Sequence, residues 1–279
     1  MRSGRVSSKA SGGRHKAVAG LVGMAAMACL TTAGGHAQTE PPVCADRPTK
    51  SNNACTADPG TWQLETDLFN ASFQRSNGAT TDIYLLTNPT LKYGLAPALD
   101  VEANLVPYEI VRMHQGVVTT RFEGVGDLFL RMKYEAIAQG PVQMALMPYV
   151  KLPTARMSIG NGAVEAGAIV PLNVMLSDAW SLGVSPEFDA LKNAGGSGRH
   201  FNTSQTVVVG YALPNDVTLN AELWADWNAD PAGTSRQYSV DFAAAKLVTN
   251  NFQFDGGVNI GLNRATPDLQ VYAGVATRF

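Results

Sequence analysis

The sequence is poor in charge. Asp, Glu, Lys and Arg make up 16% of its 279 residues, against about 25% in ordinary soluble domains. Long apolar runs are also missing. Beyond residue 37 nothing approaches the roughly 18 consecutive apolar residues of a spanning helix, which excludes a helical membrane protein. Basic charge is in no excess, with 21 Lys and Arg against 23 Asp and Glu, so a strongly basic nucleic-acid binder is excluded as well. Disorder fails on the opposite count, because 45% of the residues are hydrophobic. What remains is a soluble protein, or a membrane protein whose hydrophobicity is hidden by alternation.

The first 37 residues read as an export signal. Arg2, Arg5, Lys9, Arg14 and Lys16 form a basic region, and an apolar run from Ala17 to Leu30 follows. Gly35 and Ala37 then offer small residues for cleavage. Removal of residues 1–37 takes away five basic side chains and leaves 16 basic against 23 acidic, a net charge of -7. Cys29 lies inside the apolar run, but Ala26-Met27-Ala28 lacks the Leu expected ahead of a lipidated cysteine. Cys44 and Cys55 remain, bracketing a polar stretch. In an exported chain two cysteines predict a disulfide. Residues 38–60 are expected to form a periplasmic segment whose disulfide loop lies outside the barrel wall, and whether the segment plugs the lumen is left open.

The rest of the chain carries one dominant signal, and its period is two. Leu269, Val271, Ala273, Val275, Thr277 and Phe279 share one face, set against Gln270, Tyr272, Gly274, Ala276 and Arg278. Val217 to Trp227 repeats the arrangement, as do 235–247 and 124–137. About twelve such segments follow one another, near 61–73, 82–93, 99–108, 124–137, 142–152, 163–175, 180–189, 201–212, 217–228, 235–247, 252–261 and 269–279. Connections after even-numbered segments are short, as in Gln139-Gly140-Pro141 and Pro214-Asn215-Asp216. Those after odd-numbered segments are mostly longer, at 74–81, 109–123, 153–162, 190–200, 229–234 and 262–268. Sorting of loop length by parity predicts an all-β transmembrane, antiparallel up-and-down barrel of about twelve strands over residues 61–279, with the short turns in the periplasm.

Aromatic placement agrees. Trp62, Tyr93, Trp180, Tyr211, Phe252 and Phe279 fall at the short-turn ends, and Phe201, Trp227 and Tyr238 at the long-loop ends. Two belts of aromatic residues mark the two bilayer interfaces.

Two further stretches carry a resemblance. Pro59-Gly60-Thr61-Trp62-Gln63-Leu64-Glu65 opens the domain. Gly261-Leu262-Asn263-Arg264-Ala265-Thr266-Pro267-Asp268, then Tyr272-Ala273-Gly274 and Arg278-Phe279, close it. Together these resemble the outer-membrane family labelled "meta-pathway of phenol degradation", over about residues 58–279. The resemblance implies passage of small, aromatic or hydrophobic molecules through the outer membrane. It brings no agreed catalytic residues. Tyr272, Gly274 and Phe279 also resemble the terminal signal read by the barrel-insertion machinery.

Parity places Glu65, Asp67, Asp100, Glu102, Asp127, Arg131, Lys133, Glu135, Glu187, Asp189, Glu222, Asp226, Asp241 and Arg278 toward the interior. Lys or Arg facing lipid at mid-bilayer costs about 2–4 kcal/mol, so these positions should point inward. They are candidates for a solute-selective lining, although a hydrated, salt-bridged interior that selects nothing would look the same. An enzymatic barrel would need a nucleophile beside a base. Beyond residue 37 the histidines are His114 and His200, both expected in external loops, and no hydrolase motif accompanies them. The reading is therefore a non-enzymatic barrel, without a cofactor, passing small solutes passively, with a weak preference for cations or passage of neutral molecules rather than anion selectivity. Its expected partners are outer-membrane lipid, the insertion machinery and the solute, with no nucleic acid; oligomeric state is left open. The alternatives are a structural or adhesive barrel without transport and, behind it, an outer-membrane hydrolase.

Overall fold

The computed structural model describes residues 40–279; the export signal, including Cys29, lies outside the described residues. Among the described residues there are sixteen strand segments and no helix. These are β1 Trp62–Ser76, β2 Ala79–Leu86, β3 Thr90–Ala96, β4 Leu99–Leu105, β5 Tyr108–Gln115, β6 Val118–Gly124, β7 Leu128–Ile137 and β8 Val142–Leu152. There follow β9 Glu165–Ile169, β10 Leu172–Met175, β11 Trp180–Lys192, β12 Arg199–Leu213, β13 Val217–Asn228, β14 Ser235–Thr249, β15 Phe252–Gly261 and β16 Leu269–Arg278.

They build a closed antiparallel barrel of twelve strands, because four wall strands are each interrupted once. β2 continues into β3, β4 into β5, β6 into β7, and β9 into β10. Pro89, Pro107 and Pro171 lie in three of the four breaks. A residue without an N–H cannot donate to the ladder, so the chain skips a pairing there. Closure comes from β1 and β16, which run in register from Gln63↔Arg278 to Phe73↔Leu269. Each apolar face points outward and is left uncovered by protein, as a wall solvated by lipid requires. Trp62 packs against Tyr93 and Trp180 against Tyr211 in tilted pairs, each at 4.6 Å between ring centroids, at the short-turn rim.

Two of the expected long loops are instead mostly strand. The stretch 74–81 pairs through Ser76↔Ala79 around Asn77-Gly78, whose φ angles are 52° and 76°. Left-handed conformation at two successive residues is the tight hairpin turn that Asn-Gly favours. The stretch 109–123 likewise folds as β5 and β6, turning at Gly116. His114 and His200 accordingly sit on β5 and β12, not in loops. β6 pairs with β5 alone among the described residues, so its far edge borders the 153–164 connection.

The segment before β1 is also placed differently from expectation. Residues 43–57 fold into the lumen, with Ala45, Ser51, Ala54 and Ala57 fully buried there. The physical reason is a match of unsatisfied groups. An irregular segment carries unpaired backbone N–H groups, and the barrel interior carries carboxylates that accept from them.

Candidate functional site

The lumen and the segment that fills it form the site. Cys44 and Cys55 are joined by a disulfide, with Cα atoms 6.0 Å apart, which pinches the segment into a compact loop. Charged and amide groups then fix this loop to the wall.

Asp46 is the first anchor. Its carboxylate accepts from Lys92 Nζ at 2.5 Å and from Lys133 Nζ at 2.8 Å. Both ammonium groups are essentially without solvent contact, at 1% and 0% exposure. An unpaired cation there would be strongly unfavourable, so the pairs hold only as a set. Glu65 completes it, lying 2.5 Å from Lys92 Nζ and accepting from the backbone N–H groups of Asp46 and Arg47. Glu102 stands 3.6 Å from Lys92 and 3.5 Å from Lys133, with Arg131 at 3.9 Å. Burial alone would raise the Asp46 pKa, but Lys133 and Lys92 more than reverse this and hold the carboxyl well below its usual range.

Arg47 is the second anchor. It donates to Asp67 at 2.5 Å and to Asp255 at 2.8 Å. Gly274 makes this possible, since a Cβ there would lie 2.2 Å from the guanidinium and 2.4 Å from the Thr66 carbonyl. Lys50 is the third, donating to Asp241 at 2.8 Å and Ser239 at 2.7 Å with its ammonium 4.4 Å from the Trp224 ring centroid. The backbone N–H groups of Lys50 and Ser51 donate to Glu222 at 3.0 and 2.9 Å, and that of Ala57 donates to Asp100 at 2.8 Å. At the periplasmic rim Arg278 donates to Asp58 and to the Pro41 carbonyl.

Thus Glu65, Asp67, Asp100, Lys133, Glu222, Asp241 and Arg278, expected to line the lumen, are brought together around the inserted segment. Glu102 and Arg131 stand beside this cluster, and the others lie elsewhere. Asp127 is 3.2 Å from Lys151 and accepts from the Ala155 N–H, holding the 153–164 connection. Glu187, Asp189 and Asp226 gather nearer the long-loop rim with Tyr149, Asn202 and Ser204, where Asn202 bridges the two aspartates at 3.0 Å each. Glu135 faces Ala145 near the short-turn end. Tyr272 covers Gly257, and Phe279 exchanges two 2.9 Å backbone hydrogen bonds with Trp62 to finish the barrel. Lys92 and Asp255 were passed over, although each alternates with outward residues and the same parity reaches them. Asp46, Arg47 and Lys50 lie in an aperiodic stretch that offers no such signal.

Between the segment and the opposite wall remains a cavity of about 700 Å³. Gln143, Asn173, Ser181, Gly183, Asn220 and Gln253 face it, and its single charged neighbour is Arg47, which is already paired.

A match to a family model covers residues 45–279, and the family is described as "Putative MetA-pathway of phenol degradation". The chain belongs to this family. Among solved structures it is similar to an outer-membrane channel from Pseudomonas putida F1, at 13% identity and a TM-score of 0.65, covering 83% of this chain and all of that one. It is also similar to the KdgM porin, at 11% identity and a TM-score of 0.48, covering 77% of this chain and 99% of that one. No curated protein sequence matches it. At 13% identity the feature shared with the Pseudomonas putida channel is the outer-membrane barrel fold.

Proposed function

We propose that the protein is a passive outer-membrane channel for small, weakly polar or aromatic solutes, held shut at rest by residues 43–57. One observation carries this reading. The segment engages most of the charged groups in the periplasmic half of the lumen, while the space left beside it is faced by neutral amides, hydroxyls and glycines. Such a lining has hydrogen bonds to offer a neutral solute and no unpaired charge to attract an ion. The family description, which concerns phenol degradation, is consistent with that solute class. No catalytic role is assigned. His114 bonds Thr119, and His200 lies against Asn193 and Asp230, so neither is hydrogen-bonded to a serine among the described residues.

Planar bilayers test the reading. The whole protein should show small conductance, and deletion of residues 43–57 should produce large, long-lived steps. Equal conductance in the two proteins would overturn it. Liposome swelling should then be faster with phenol than with benzoate. Reversal potentials at low salt should show at most a weak cation preference, because the periplasmic-half carboxylates are paired with the segment.

A further inference from the structure

The outer wall carries a recess beside the long-loop rim. Across three neighbouring strands the outward residues form ladders: Thr203, Trp227 and Arg236 uppermost, then Gln205, Ala225 and Tyr238, then Val207, Leu223 and Val240. Ala225 is the smallest of these and sits at the centre. Around it two hollows of about 360 and 460 Å³ meet, sharing Gln205, Ala225 and Tyr238.

Arg236 stands at the upper lip of this recess. Its guanidinium carbon lies 5.2 Å from the Trp227 ring centroid, and its side chain is exposed. No carboxylate among the described residues comes within 4.0 Å of it. A cation stacked on an interfacial tryptophan, at the lipid boundary and unneutralised by protein, is a group awaiting an anion. The arrangement occurs a second time. Arg112 lies 5.4 Å from the Tyr84 ring centroid beside a hollow of about 380 Å³ bounded by Phe69, Leu86 and Ile110, and it too has no ion pair among the described residues.

Short turns face the periplasm, so the 229–234 connection and Arg236 face the outer leaflet. We infer that Arg236, Trp227 and the recess over Ala225 bind a phosphorylated glycolipid of that leaflet. Its phosphate lies on the guanidinium, which presents donors in a planar fork suited to phosphate oxygens. One acyl chain lies against Ala225, Leu223 and Val207, with Tyr238 at its side.

Native mass spectrometry of the detergent-purified full chain tests this, with bisphosphorylated lipid A, its dephosphorylated form and phosphatidylglycerol as probes. Folding of each variant is checked by heat-modifiable gel migration. Bisphosphorylated lipid A should bind best. Arg236→Gln should weaken it about tenfold, the ratio expected for one lost charge-assisted hydrogen bond. Ala225→Leu should weaken it with the cation intact, and Arg264→Gln, in the 262–268 connection, should change nothing. Undiminished binding by folded Arg236→Gln, or equal binding of dephosphorylated lipid A, would overturn the phosphate site. Equal binding of phosphatidylglycerol would overturn its assignment to the glycolipid.

Discussion

Along β1, β3, β4 and β7 the inward positions of the periplasmic half hold Glu65, Asp67, Lys92, Asp100, Glu102 and Lys133, whereas along β10, β11 and β12 they hold Asn173, Ser181, Gly183, Ser185, Thr206 and Gly210. Both sides obey the same alternation and both are polar. They differ in what they face. The first side meets Asp46, Arg47 and backbone N–H groups of the inserted segment, and its charges are consumed by that contact. The second side meets the segment mainly through neutral groups, such as Ser51 against Ser185 and the Ala54 N–H on Asn173. In the periplasmic half of the lumen charge therefore marks where the segment is gripped, and its scarcity marks where space is left.

The strongest way to break that contrast is to remove the grip. Asp46→Asn combined with Arg47→Gln leaves buried Asp67 and Asp255 without their opposite charge and takes one carboxylate from Lys92 and Lys133. Unpairing a buried ion costs about 3–5 kcal/mol, which corresponds to a rise of about two orders of magnitude or more in the ratio of open to closed channels. Open probability in single-channel recordings measures it, and an unchanged value would mean that the ionic contacts do not hold the segment. A smaller effect is expected on the neutral side. A Cβ at Gly183 would lie 2.7 Å from Val208 Cγ1, 3.3 Å from Asn173 and 3.4 Å from Ser51. Gly183→Leu should therefore press on Val208 and Ser51 as it fills the cavity, lowering the conductance of the closed form by about a factor of two and changing open probability less than the double variant does. A fall in open-channel conductance alone would place the path elsewhere.

Acidity should have the least effect. The Asp46 pKa is depressed in the seated state, so its contribution to seating is complete above the ordinary carboxylate range and is lost only as pH falls through the depressed value. Open probability should stay level between pH 8 and pH 5. A steep rise on approaching pH 5 would show that another group controls release.

Much of this architecture was legible from one sequence. Alternation in 217–228 and 269–279 reaches from turn to turn without a break, so register, inward face and aromatic belts all follow from counting by two. The 74–81 and 109–123 stretches were harder, because turn residues and polar strands share a composition. There the Asn77-Gly78 pair was the informative signal. Asp67, Glu222 and Asp241 could be placed in the interior by parity, but not paired. Their partners lie 20, 172 and 191 positions away in sequence, in a stretch with no period. An irregular segment is positioned by donors meeting acceptors, and that information resides in three dimensions.

Arg278 and Phe279 are neighbours with separate duties. Phe279 supplies the backbone bonds that join the last strand to Trp62, while the side chain of Arg278 reaches Asp58 and Pro41 at the mouth of the lumen. The final two residues thus act as both seam and latch. A barrel left open at its seam would also lack its latch, so closure of the wall and retention of its contents are coupled through adjacent residues.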